Sequence, residues 1–218
     1  MSFAANSKAA VDALSAIRIV PVLVLNDVDS GLKMCEVLAE CGLPAAEITF
    51  RTAAAADIIA AASKRFPEML IGAGTILNTC DLKRAADAGA KFAVAPGFNP
   101  TVVKAAMEMK FDFAPGICTP GEIEQAYELG CRFFKFFPAE AAGSTAMLKA
   151  ISAPYKHLGI KFMPTGGVTS KNAADYLAVS NVAAVGGTWL GKAEDLENDA
   201  WDKIETLIKE ASDLAKSL

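Results

Sequence analysis

Residues 131–138 read Cys131-Arg132-Phe133-Phe134-Lys135-Phe136-Phe137-Pro138, or CRFFKFFP. Four phenylalanines around one lysine give this stretch the length and aromatic content of a strand, and the proline ends it. A strand that is apolar on both faces belongs in a parallel sheet covered by helices on both sides. Side chains alternate along a strand, so Phe133, Lys135 and Phe137 share one face while Phe134 and Phe136 share the other. Burying an ammonium on the first face costs several kcal/mol, roughly, unless it is paired or loses its proton. The same eight residues therefore bear on the fold and on the chemistry.

Seven further apolar runs of strand length complete the pattern. They are Ile17 to Leu25, Ala45 to Phe50, Met69 to Gly74, Lys91 to Ala95, Phe111 to Ala114, Ile160 to Thr165 and Val182 to Gly186. With helical patterns between them, eight strands match the count of a (β/α)8 TIM barrel. Asp27, Asn78, Asn99, Thr119 and Ser170 stand where helices should start, and Gly42, Gly89 and Gly130 where helices should stop. An extra N-terminal helix is expected from about Ser7 to Ala16. A long C-terminal helix places Trp201, Ile204, Leu207, Ile208, Ala211 and Leu214 on one face. Both are expected to cover barrel ends. No linker interrupts residues 1–218, which read as a single domain. A doubly wound open sheet is the alternative that strand count leaves open, and in either fold the site lies at the C-terminal ends of the strands.

Composition narrows the partners. Hydrophobic residues make up 53% and charged residues 21%, and the net charge is -4. No basic patch offers itself to nucleic acid or an acidic membrane, which leaves a small molecule as the expected partner. No apolar run approaches the roughly 20 residues of a membrane helix. The five cysteines show no C-x-x-C spacing, and the chain shows no secretory leader, so reduced core thiols in a cytoplasmic protein are expected. The single histidine, His157, falls in a connection away from the expected active end. No metal-ligand spacing and no G-x-S-x-G motif are present.

The polar groups at the strand ends define the chemistry. Lys135 either snorkels to solvent or pairs with a carboxylate, or it is a nucleophilic amine that forms a Schiff base with a carbonyl substrate. In EITFRT, Glu47, Thr49 and Arg51 alternate onto one face, with Glu47 deeper and Arg51 at the mouth. A deep carboxylate can move protons, and an arginine fork suits a substrate carboxylate. An internal ion pair of Glu47 with Arg51 or Lys135 is the purely structural alternative. Thr75 ends the third strand in GAGT. Glycine pairs in PTGGV and VGGTWL end the last two strands, where barrels build phosphate sites from backbone N–H groups.

With EITFRT, GAGTI, FKFFPAE, PTGGV and GGTWL in this order, the sequence from about Ile17 to Leu190 resembles the 2-keto-3-deoxy-6-phosphogluconate (KDPG) aldolase family. That family also includes 4-hydroxy-2-oxoglutarate (KHG) aldolase activity. The resemblance implies a (β/α)8 barrel assembled as a homotrimer, and a metal-independent Schiff-base aldolase of carbohydrate metabolism that needs no cofactor. It makes Lys135 the Schiff-base lysine and Glu47 the general acid/base. Arg51 and Thr75 would bind the pyruvyl carboxylate end, and Phe137 would line the pocket with Phe133. Gly166, Gly167, Gly187 and Thr188 would hold the phosphate. Thr188 stands where many relatives have Ser and keeps the hydroxyl, while Cys118 replaces a commoner Ser. An aldolase for the galactonate-derived epimer, or a non-catalytic phosphosugar-binding barrel, are the alternatives.

Overall fold

The computed structural model describes residues 8–218. In chain order the elements are α1 (Lys8–Ile17), β1 (Ile19–Leu23), α2 (Val28–Glu40), β2 (Ala45–Thr49), α3 (Ala55–Arg65), β3 (Leu70–Gly74) and α4 (Thr79–Asp87). There follow β4 (Phe92–Val94), α5 (Pro100–Met109), β5 (Phe113–Ala114), β6 (Gly116–Ile117), α6 (Pro120–Glu128) and β7 (Phe133–Phe136). The chain ends with α7 (Ser144–Ser152), a 3-10 turn (Ala153–Leu158), β8 (Lys161–Pro164), α8 (Ala173–Leu177), β9 (Val185–Gly187), α9 (Ala193–Glu197) and α10 (Trp201–Ser217).

Strands and helices alternate, and every strand pair is parallel. Six strands form a curled sheet in the order β5-β4-β3-β2-β1-β9, and β6-β7-β8 form a second sheet of three. The fifth expected strand needs correction. It starts at Phe113, not Phe111, and continues past Pro115 as β6. Pro115 has no N–H to give to a ladder, which splits the segment between the two sheets. The eighth expected strand also shifts toward its C-terminus, since Val182 makes only an isolated bridge to Phe162 before β9 begins at Val185.

Both faces of the strands are covered. Outside, Phe134 and Phe136 join Ile48, Ile58, Val102 and Leu148 in the layer between strands and helices. Phe134 also meets Phe162 with ring centroids 5.8 Å apart. Each fully buried ring contributes about 1.5–3 kcal/mol through the water it leaves. Inside, Val20, Ala45, Leu70, Phe92, Phe133 and Met163 form a second cluster, closed at the N-terminal ends of the strands by Leu14 of α1. The alternation expected for CRFFKFF is thus present, with one face in each cluster.

α1 lies at a strand end as expected, although Ser7 falls outside the described residues. α10 does not: it packs on the outside against α2 and β1, with Ser212 Oγ donating to Gly42 O at 3.2 Å. Its single apolar stripe matches a lateral groove better than a barrel end. Asp27, Asn78, Asn99 and Thr119 cap α2, α4, α5 and α6. Ser170 caps nothing, because α8 starts later, with Asn172 at the cap position and its Oδ1 accepting the Thr169 N–H at 2.7 Å. Among the cysteines only Cys35 and Cys131 are core thiols, and burial pushes both up to about 12. Cys80 is exposed, at the solvent-facing start of α4. Among the described residues no helix is long and apolar enough to cross a membrane.

Candidate active site

β2 and β7 lie in different sheets, yet their inward side chains meet. Lys135 Nζ stands 2.8 Å from Glu47 Oε1 and 3.2 Å from Oε2, although the two residues are 88 positions apart. Lys135 is 4% exposed and Glu47 not at all. The structure shows the ion pair of Lys135 with Glu47.

Glycines make the room. A Cβ at Gly74 would sit 2.2 Å from Glu47 Oε1 and 2.7 Å from its Cγ. Gly72, paired with Glu47 in register, leaves space for the Phe92 ring. Gly74→Ala is therefore expected to displace the carboxylate from Lys135 and to cost about 1–3 kcal/mol of stability as an overpacked site. The urea midpoint measures this, and a variant as stable as the parent would contradict it.

A cavity of about 300 Å³ opens above the pair. Its lining brings together Arg51, Thr75, Lys135, Phe137, Gly166, Gly167, Gly187 and Thr188, which are the expected binding residues from five separate stretches of sequence. Glu47 lies behind Lys135 and not on the cavity surface. Arg51 Nε donates to Thr75 Oγ1 at 3.2 Å, and Thr75 holds φ at 61°. That backbone is uncommon for a β-branched residue, and residues held there cluster at functional sites. Phe137 forms one wall. Phe133 does not join it, contrary to expectation: it lies a full strand repeat deeper, in the inner cluster with Phe92 and Leu14.

The Gly166–Gly167 turn presents donors. Gly166 O accepts the Glu140 N–H at 3.0 Å, and Gly167 O accepts from Asn172 Nδ2 at 3.2 Å. In a trans peptide the N–H points opposite to the C=O. The Gly167 and Val168 N–H groups, which donate to no described residue, are thus turned away from Glu140 and Asn172, and Gly167 and Val168 both line the cavity. Unpaired N–H groups in such a turn form an anion-binding concavity.

The sequence reading overlooked Val22, Pro96, Thr165 and Val168, which also line the cavity. Thr165 was accessible by alternation, two residues beyond the inward Met163. Pro96 carried no signal. His157 is exposed on the 3-10 turn and does not line the cavity.

A parallel α/β fold with a buried lysine–carboxylate pair beneath a cavity lined by Arg51 fits the class of Schiff-base aldolases. The sequence profile described as KDPG and KHG aldolase matches residues 11–207. The chain belongs to the KDPG and KHG aldolase family. A 2-dehydro-3-deoxy-phosphogluconate aldolase of Haemophilus influenzae is 42% identical over 94% of this chain and 96% of its own. The KDPG aldolase of Legionella pneumophila, solved with pyruvate captured at low pH as a covalent carbinolamine, superposes with a TM-score of 0.87. It is 36% identical over 92% of this chain and 97% of its own. The aldolase of Zymomonas mobilis ZM4, solved with 3-phosphoglycerate, gives a TM-score of 0.84 at 35% identity over 93% of this chain and 94% of its own.

Proposed function

We propose that the protein is a class I aldolase that cleaves KDPG to pyruvate and glyceraldehyde 3-phosphate, and KHG to pyruvate and glyoxylate. The observation that carries this reading is the 2.8 Å contact between Lys135 Nζ and Glu47 at the floor of the cavity. An amine nucleophile needs an adjacent group to take and return protons, and the contact with Glu47 supports that role for it. The carbinolamine trapped in the Legionella relative and the phosphorylated acid held by the Zymomonas relative support the two ends of the substrate.

The steps follow from the placement. The Lys135 amine attacks the C2 ketone, and Glu47 relays a proton to the C2 oxygen as water leaves and the iminium forms. Glu47, acting through a water, takes the C4 hydroxyl proton. The C3–C4 bond breaks, its electron pair moves into the enamine, and the aldehyde departs. A proton returned to C3 and water added at C2 release pyruvate and restore the amine. Arg51 and Thr75 hold the pyruvyl carboxylate. Gly166, Gly167, Gly187 and Thr188 take the phosphate, and Phe137 shields the iminium from bulk water.

Cleavage rates on KDPG, KHG and the galactonate-derived epimer test the reading. KDPG is expected to be the best of the three, and a much better rate on the unphosphorylated substrate would remove the phosphate site. Arg51→Lys replaces a planar fork by a point charge. It is expected to lower kcat/KM for KDPG by about tenfold or more, the equivalent of about 1.4 kcal/mol or more.

The proposal extends to the architecture: residues 1–218 as one domain whose strands close into a (β/α)8 barrel. Support for closure comes from both seams. At one, only Pro115 separates β5 from β6, and Lys135 N–H donates to Pro115 O at 2.9 Å. At the other, Phe162 pairs with Val182 and Thr165 with Gly186, both parallel. A homotrimer and a cytoplasmic location rest on resemblance, and sedimentation equilibrium tests the first.

A further inference from the structure

We infer that Glu140 and Tyr176 are positioning residues that make the cavity selective for phosphorylated aldehydes, a reading that rests on the phosphate site proposed above. Glu140 belongs to the same FKFFPAE segment as Lys135, and Tyr176 sits in α8. Tyr176 is fully buried, and its hydroxyl donates to Glu140 Oε1. Burial first, and then the hydrogen bond to Glu140, push this phenol up to about 12. It therefore remains a donor throughout the neutral range.

Glu140 meets the glycine turn in two ways. Its N–H holds the Gly166 carbonyl at 3.0 Å, and its side chain fills the space a Gly167 side chain would take, with Glu140 Cβ 2.6 Å from the position of such a Cβ. With Asn172 on the Gly167 carbonyl, both peptides are clamped from outside the cavity. The turn needs a clamp because Gly166 and Gly167 hold φ at 97° and 79°, and glycine there has many other conformations open to it. Fixing the turn before a ligand arrives lowers the ordering cost of binding. The Glu140 carboxylate would repel a phosphate if it swung inward, and the Tyr176 hydroxyl keeps it on the outer side.

The geometry of the substrates decides which of them depends on this clamp. The KDPG phosphate hangs from C6, far from the iminium at C2. The second carboxylate of KHG is bonded directly to C4 and falls short of the turn.

Steady-state cleavage of KDPG and KHG by the parent protein, Tyr176→Phe, Glu140→Ala and Glu140→Gln tests the inference. Tyr176→Phe and Glu140→Ala are expected to raise KM for KDPG about tenfold, as for one lost hydrogen bond to a charged group. Their kcat, and all KHG kinetics, are expected to stay within about twofold. Glu140→Gln, which still accepts from Tyr176, recovers most of the KM. Intact KHG cleavage also shows that each variant is folded. Equal losses on both substrates, or no loss on KDPG, overturn the inference. A parent protein whose kcat/KM for KHG equals or exceeds that for KDPG instead overturns the phosphate reading beneath it, and that comparison needs no variant.

Discussion

Borohydride added to the protein with pyruvate is expected to leave one reduced pyruvyl adduct per chain, on Lys135, and Lys135→Met is expected to take up none. Lys135 is the lysine that lines the cavity above Glu47, and its 4% exposure sets it apart from the surface lysines. Condensation needs a carbonyl held beside the amine and a group that moves protons during dehydration. Mass spectrometry locates the adduct. An adduct on another lysine, or none, would sink the Schiff-base assignment and leave the buried pair as a structural ion pair in a non-catalytic phosphosugar-binding barrel.

Lys135→Met is also expected to lower kcat by roughly 10⁴-fold or more, as when a covalent nucleophile is removed. Loss of activity through unfolding would look similar, so stability must be measured alongside. Removing the cation strands Glu47 as a buried charge, which costs about 3–5 kcal/mol. Adding Glu47→Gln neutralises that charge, so the double variant should recover stability while remaining inactive. A double variant that regained activity would show that the lysine is not the nucleophile.

Glu47→Gln alone keeps the volume and one hydrogen-bond acceptor for Lys135 but cannot take a proton. Its kcat for KDPG is expected to fall about 10²- to 10⁴-fold, the usual worth of a positioned acid or base, with KM changed far less. Binding is expected to survive, because Arg51, Thr75 and the glycine turn are untouched. Slow trapping of pyruvate on Lys135 should persist, since the amine remains and only proton relay is lost. Activity within about tenfold of the parent would assign the proton transfers to another group. Thr165, also on the cavity wall, is then the hydroxyl to examine.

Much of the site could be read from local pattern. Period-two alternation put Lys135 and Phe137 on the inward face of their strand, and Glu47 and Arg51 on that of theirs. The glycine pairs marked the far wall, where Gly166, Gly167 and Gly187 line the cavity. Alternation put Phe133 on the correct, inward face but could not give its depth, and the ring lies too deep to touch the cavity. Cap reading failed for Ser170, where the residue type was present but the helix began later, with Asn172 at the cap.

Residue type and spacing, which are properties of neighbouring positions, carry the parallel α/β layering, the inward faces of β2 and β7, and the family. Only the tertiary structure decided depth and distance. The contact between Lys135 and Glu47 depends on the stagger of two strands in different sheets, set by registers such as Val22 with Glu47 and Gly116 with Lys135. The same holds for Gly74 making room for a carboxylate and for Glu140 reaching Tyr176 across 36 positions. Such contacts arise when a curled sheet brings its strands face to face, and no local periodicity encodes that curvature.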